Sequence, residues 1–480
     1  MLIASNLRST DAPVAAEAAA GRRVLIADCD DSALDMLGAI DPADGGDDCC
    51  LLLESDTALR LLQTAGLPPH LHRRLDLIAT TVEDLCAKSV LVRAPGVDNS
   101  VTALDRTPVT RESDTVVHLV IFGDSAAADA LAINAALVAH YPNYCRDPRL
   151  RTRITIVADT AMAVRDRLVR RYRRLFENSY YRSIDLHLDD PRPALHVPEH
   201  LGRLGDFVDV EWEFVRGDSS AAAVRRKLAE WAGSPLRQLT VALCHPSHNR
   251  NIDEALDLPS EIHRGSTAVL CRTDAPAAAR LACESGACPG LRPYGLQSAS
   301  VGLLRTLKAL GQRINYVYHH CFALPPEAPL APPADIDTDR LAELWRGIGS
   351  LSKRYSNIFG AMTIGTKMHS LGHTDPERTE SYYALSVDEI DTLTEVEHNR
   401  WSLEELMLGY RPVTAEEQRA VEADISLKRT LRDTERAHYD LRAYSDLRPD
   451  ATGKPVEIYD RALTQAIPLI VQSCITGSKI

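Results

Sequence analysis

No uninterrupted apolar run in this chain approaches the ~20 residues that a membrane-crossing helix needs, so a spanning protein is not expected. Residues 1–23 also lack the basic start and apolar block of a secretory leader. They form a polar, alanine-rich run ending in Arg22 and Arg23, and a cytoplasmic protein is expected. Several catalytic signatures are missing. There is no GxxxxGK[ST] phosphate loop, no HExxH zinc-hydrolase helix and no GxSxG nucleophile elbow. The 11 cysteines offer no second pair that would complete a tetrahedral zinc site around Cys283 and Cys288. His245 with His248, and His319-His320-Cys321, are equally isolated, so no metal is expected. Cys244, Cys271, Cys49 and Cys50 sit in or beside apolar strand-like runs, as small buried hydrophobes of a reducing compartment do.

What is present is an ordinary globular composition, 45% hydrophobic and 25% charged, in a chain of 480 residues, long enough for two or three domains. A net charge of -13 keeps it soluble and disfavours nucleic acid as a partner. The basic run RDRLVRRYRR at 165–174 reads as the solvated face of an amphipathic helix.

Three regions separate along the chain. In 1–113, short strand-like runs (24–28, 51–54, 75–79 and SVLVR at 89–93) alternate with helical stretches such as 56–65, which predicts an N-terminal α/β region. The acidic DPADGGDD at 41–48 reads as a loop. Whether this region forms its own domain or adds strands to the next stays open. Region 114–323 opens with the buried-strand run VVHLVIF at 116–122, then a helix over 126–140 and a strand RITIV at 153–157. Later strands are expected at 208–215, 239–244 and 267–271, with a helix over 220–232. Several of these strands are short, rich in β-branched residues and apolar throughout, which predicts a Rossmann-like, doubly wound, mainly parallel sheet. Five prolines in 324–338 mark a linker running with connecting helices to 385. Beyond it the pattern is mostly α-helical, with helices expected over 339–348, 388–408 and 416–436 and a C-terminal module over 386–475.

A dinucleotide-binding turn needs glycines for the tight turn, for phosphate approach and for helix–strand packing. Here the turn reads Gly123-Asp124-Ser125-Ala-Ala-Ala128. One glycine is kept, and Asp124 brings a repulsive charge. Asp159, just past the second strand, is placed to accept hydrogen bonds from a ribose. Gly123, Asp124, Ser125 and Asp159 are therefore the candidate cofactor residues, with NAD or an adenine nucleotide as the candidate cofactor. The alternative is a scaffold without a ligand. HLVIFGDSAAADALAINAALVAHYP at 118–142, followed by RITIVAD, resembles the TrkA N-terminal family, which implies an NAD- or nucleotide-binding regulatory fold. Polar residues at the end of LTVALC, His245, Ser247, His248 and Asn249, could serve a strand-end enzyme site.

Further along, EHNRW at 397–401, the Gly409-Tyr410 that closes its helix, HYDLRAYSDL at 438–447 and YDRALTQAIPLI at 459–470 resemble the RyR domain, the ryanodine receptor repeat also found in bacterial proteins. The match runs over 387–473 with its motifs in order. The resemblance implies ligand or nucleotide sensing and protein interaction rather than catalysis, in the company of TrkA-N-like domains. By position its motif residues here are Glu397, His398, Arg400, Trp401, Tyr410, His438, Tyr444 and Asp460. Of these, His398 and Arg400 are the expected contacts to an anionic ligand, since arginine offers a planar fork to phosphate or carboxylate. The expectation is a non-catalytic intracellular sensor or scaffold whose partner is a nucleotide-like small molecule or another protein, with homo-oligomers allowed. The alternative is a nucleotide- or NAD-dependent enzyme using the strand-end site.

Overall fold

Runs of β-branched and aliphatic residues bury both faces of the central strands in the largest sheet among the described residues. The computed structural model describes residues 23–25, 29–40, 48–67, 70–71, 74–94, 104–265, 267–274, 276–296, 298–325, 331–348, 350–372, 385–448 and 458–477. Apart from Asp48, the expected acidic loop at 41–48 falls outside them, as do residues 449–457 ahead of the last helix. So do residues 326–330 of the proline-rich segment.

The N-terminal region forms a sheet of its own. Strands β1 (Arg23–Leu25), β2 (Asp48–Leu53) and β3 (Asp76–Thr81) pair in parallel in that order, with helices α1 (Asp30–Gly38), α2 (Asp56–Ala65) and α3 (Val82–Leu91) in sequence between and after them. Among the described residues this region therefore adds no strand to the large sheet. SVLVR, expected as a strand, instead supplies the end of α3. Thr81 caps that helix, Glu83 and Asp84 occupy its first turn, and Leu85, Cys86 and Val90 are buried. Tertiary packing here overrides the strand preference of the β-branched residues.

The large sheet comprises β4 (Val116–Phe122), β5 (Thr152–Ala158), β6 (Tyr180–Asp185), β7 (Ala194–His196), β8 (Val210–Arg216), β9 (Arg237–Leu243), β10 (Ala268–Arg272) and β11 (Leu291–Tyr294). Their spatial order is β11-β10-β9-β4-β5-β8-β6-β7, and every pair is parallel except β6 with β7. Without the β6–β7 edge, the order β8-β5-β4-β9-β10-β11 is the doubly wound Rossmann order, with reversal between β4 and β9. Side chains alternate between two cores: Leu119 and Ile121 of β4 join one, Val120 and Phe122 the other. The connecting helices α4 (Ala126–Val138), α5 (Ala161–Arg171), α6 (Ala222–Ala232), α7 (His248–Asp257) and α8 (Pro276–Glu284) complete the α/β layers.

After β11 the chain is largely helical: α9 (Ser298–Ala323), α10 (Thr338–Gly347), α11 (Leu351–Ser370), α12 (Val387–Met407), α13 (Ala415–Ala423), α14 (Leu427–Glu435) and α15 (Ile458–Gly477). The single helix expected over 416–436 is two. Asp424 ends the first by accepting hydrogen bonds from the Ser426 amide and hydroxyl, a local turn that competes with helix continuation. The minimal parallel strand pair β12 (Arg411–Pro412) and β13 (Ala437–His438) brackets α13 and α14. Helix α9 packs along α11 and α15, so it sits among the helices that follow it, while α3 contacts both α4 and α9. Among the described residues, no helix is long and apolar enough to cross a membrane.

Candidate functional site

The carboxyl ends of β4 and β5 bring Gly123, Asp124, Ser125 and Asp159 together, as their positions in the sequence imply. Gly123 adopts φ 119°, and a Cβ there would stand 2.7 Å from the carbonyl oxygen of Cys244, so only glycine fits where β4 meets β9. Local contacts fill this turn. The Ser125 hydroxyl caps α4, accepting from the Ala128 amide at 3.2 Å, and donates to the Cys244 carbonyl. Thr160 donates to Asp124 at 2.6 Å, and Arg167 donates both to the Asp124 carbonyl and to Asp129 in the first turn of α4. Asp159 is exposed, with His187 at 3.6 Å. The turn therefore has the Rossmann position, but its serine and Arg167 occupy the helix entrance where phosphate would approach.

At the end of β9, His245 pairs through Nε2 with Glu254 at 2.8 Å, and Ser247 caps α7. Asn251 braces the same segment, accepting from the His245 amide and donating to the carbonyls of His245 and Arg272. These polar groups largely hold one another.

The downstream motif divides into two faces of α12. Ser386 and Glu389 start this helix with reciprocal capping hydrogen bonds, and Gly409 at φ 91° ends it. One face carries Glu397, Arg400 and Glu404, all nearly fully buried with Lys367 of α11. Arg400 donates to both Glu397 oxygens at 2.9 Å and also to Glu404, while Lys367 donates to Glu397. Burial opposes charge on Glu397, but Arg400 and Lys367 outweigh it and hold the carboxyl down at about 2. Arg400 is thus enclosed by carboxylates and does not reach a ligand space.

The adjacent face carries His398 and Trp401, and these line a cavity of about 1020 Å³ between α9, α11, α12, α14 and the first turn of α15. His438 and Asp460 line it too, so four of the eight motif residues converge there. Tyr410 and Tyr444 stand behind them, their rings 6.2 Å from His438 and 5.9 Å from His398. His398 is fixed from both sides: Nε2 donates to the Arg442 carbonyl at 2.9 Å, and Nδ1 faces Asp460 at 3.4 Å. Burial disfavours its charge, but Asp460 and that carbonyl prevail and lift its pKa above the usual imidazole value. His438 behaves oppositely. Burial pushes it down to about 4, and its Nδ1 accepts the Asp440 amide, so a neutral ring meets Trp401 edge-to-face at 4.8 Å.

Much of the cavity comes from residues outside the motif. Helix α9 provides Asn315, Tyr318 and Phe322, and α14 provides Lys428, Arg429 and Arg432. The basic spacing in LKRTLR was a readable signal for α14. Helix α9 carried none, because its partners lie far away in the sequence. Among the described residues, no group of three or more His, Cys, Asp or Glu is placed to hold a metal ion. Comparison with protein-family models, with curated proteins and with solved structures found no match for this chain.

Proposed function

We propose that the protein is a non-catalytic, intracellular ligand-sensing or scaffold protein that recognises a small anionic molecule in the cavity beside α12, with the Rossmann-like unit as its scaffold. The observation that carries this reading is convergence. His398, Trp401, His438 and Asp460, spread across the region that resembles an RyR domain, meet at one cavity. Its size lies at the upper end of small-molecule sites. The lining carries Lys353, Lys428, Arg429 and Arg432 against the carboxylates of Asp440 and Asp460, a cationic excess in a chain whose net charge is -13. A locally basic pocket in an acidic protein concentrates anions. Both nitrogens of His398 are engaged by protein acceptors, which suits a positioned wall better than a proton shuttle.

The alternative, a nucleotide-dependent enzyme at the β4–β9 crevice, draws less support, because Ser125, Arg167 and Asn251 already satisfy the groups there. A thermal-shift screen of the full chain tests the reading, using NAD, ATP, ADP-ribose, cyclic nucleotides, citrate and inorganic pyrophosphate. A ligand at ~100 times its dissociation constant adds about 2.7 kcal/mol. The expected result is stabilisation by at least one of these anions, lost in Trp401→Ala and retained in Asp159→Ala. Loss in Asp159→Ala alone, or no shift with any of them, overturns it.

A further inference from the structure

Several thiols of this protein are walled in. Burial pushes Cys86, Cys244 and Cys271 up to about 12, as apolar surroundings do to a structural cysteine. Cys283 stands apart. It lies in the last turn of α8, half-buried, and its sulfur touches polar groups. Arg292 donates to Sγ at 3.6 Å, and Sγ donates to the Pro289 carbonyl at 3.5 Å. A partly exposed thiol beside a guanidinium has the setting of a reactive one, because the anion is the nucleophile. The chain then folds straight back. Gly286 takes φ 76°, with open space where a Cβ would stand, and donates to the Cys283 carbonyl at 3.1 Å. The Cys288 amide donates to the Ala282 carbonyl at 3.0 Å, which returns Cys288 to the end of the helix that carries Cys283. The Cys288 side chain is buried in the core built with Ala279 and Ala282 of α8, and Cys283 packs against that same core. Burial pushes the Cys288 thiol up to about 11, with the neighbouring Cys283 sulfur adding to the rise and Arg292 opposing it. One accessible thiol, one sheltered thiol and a cation therefore meet at one turn, CESGAC.

We infer that Cys283 and Cys288 form a reversible, peroxide-sensitive thiol pair, with Cys283 as the attacking sulfur and Cys288 as the resolving one. The Cys283 thiolate attacks one oxygen of hydrogen peroxide. The O–O bond breaks, and the released hydroxide takes up the proton that Cys283 gave to solvent and leaves as water. Cys283 is then a sulfenic acid. The Cys288 sulfur attacks it, the S–O bond breaks as the S–S bond forms, and the hydroxyl departs with the Cys288 proton as a second water. The thiols lose two electrons in all, and the peroxide takes them. In a reducing compartment such a bond is transient and returns to two thiols by exchange with small thiols. The link ties the end of α8 to the segment leading into β11, the edge strand of the large sheet. At the far end of β11, the Tyr294 hydroxyl meets Cys244 Sγ at 3.0 Å. Oxidation therefore acts on a strand joined to the Rossmann turn through Cys244, whose carbonyl accepts from Ser125. The cavity beside α12 has no part in it.

Oxidation of the full chain by hydrogen peroxide, followed by non-reducing peptide mapping, tests the assignment. A Cys283–Cys288 link that dithiothreitol removes is expected, while Cys244 and Cys271 stay reduced. Cys288→Ala is expected to leave Cys283 as a sulfenic acid that dimedone labels, and Cys283→Ser to leave Cys288 unreacted. Arg292→Gln is expected to slow loss of the Cys283 thiol about tenfold, with Arg292→Lys restoring much of the rate. Cys283→Ser changes a half-buried position and keeps the side chain's size, so this variant tests the pair without emptying the core. Peroxide that leaves Cys283 reduced in the unaltered chain overturns the assignment. So does a Cys283 that is oxidised without a link to Cys288, or a link from Cys288 to Cys271, the other thiol facing it. An unchanged rate in Arg292→Gln overturns the part given to the guanidinium. None of these outcomes bears on anion binding, which the thermal-shift screen reads on the reduced protein.

Discussion

Arg400 shows how a motif residue can be indispensable without touching a ligand. Its guanidinium lies between Glu397 and Glu404 with Lys367 on the far side of Glu397, so removing it strands buried carboxylates. Arg400→Ala is expected to lower unfolding free energy by about 3–5 kcal/mol, read in urea, whereas Arg429→Ala on the exposed face should cost under about 0.5 kcal/mol. Arg400 was recognisable in the sequence as important, but its role was not. Lys367 closes the network from another helix, and a sequence does not reveal which carboxylates will surround a guanidinium. His398 and Trp401 were named through the EHNRW motif at 397–401, while Asn315 was not, since nothing in its local sequence marks it. The histidines differ in pH behaviour. His438 has its pKa depressed to about 4 from 6.5, so the unfolded chain binds the proton more readily between those values. Its stabilising contribution is full above pH 6.5 and is lost as pH falls towards about 4. His398, with its pKa raised, contributes fully below 6.5 and loses that contribution as pH rises through its folded value. His438→Gln should therefore flatten the acid-side loss of stability measured by urea unfolding from pH 6.5 to 4; an unchanged slope would contradict the burial argument.

At the scale of elements, the strand β4, its turn and α4 form the most legible unit in the chain. A buried apolar run, a glycine and an alanine-rich stretch without helix breakers dictate strand, turn and helix. Gly123→Ala places a methyl against the Cys244 carbonyl in a positive-φ turn and is expected to cost about 1–3 kcal/mol by calorimetric unfolding. Ser125→Ala, which removes a helix cap, should cost about 0.5–2 kcal/mol. If Ser125→Ala leaves stability unchanged, the serine has no such role in the turn. The illegible elements fail for definable reasons. SVLVR carries strand-forming residues into a helix because α3 is packed against α4 and α9. The break at 424–426 depends on one side chain folding back on its own backbone.

For the whole molecule, the N-terminal sheet and the helical region are joined by close packing rather than by a shared sheet. The backbone of α11 approaches so near that a Cβ on Gly365 would meet the Arg93 backbone, and His369 of α11 pairs with Asp105 at 2.8 Å. Tyr355 of the same helix donates to the Ala79 carbonyl in β3. Gly365→Ala should therefore speed hydrogen exchange in β3 and α3 while β4 and β9 keep their protection; equal loss across both sheets would show that the junction is not local. A mainly parallel, Rossmann-like sheet was readable from the apolar strand runs, whereas its strand order and this junction were not, because they join residues far apart in sequence. The central claim is that ligand recognition lies at the cavity beside α12 and not at the Rossmann turn. Hydrogen exchange of the full chain, with and without a saturating anion from the thermal-shift screen, tests it most directly. Slower exchange in α12, α14, β13 and the start of α15, with residues 122–129 unchanged, is the predicted result. Slower exchange confined to residues 122–129 and 157–160 would contradict it.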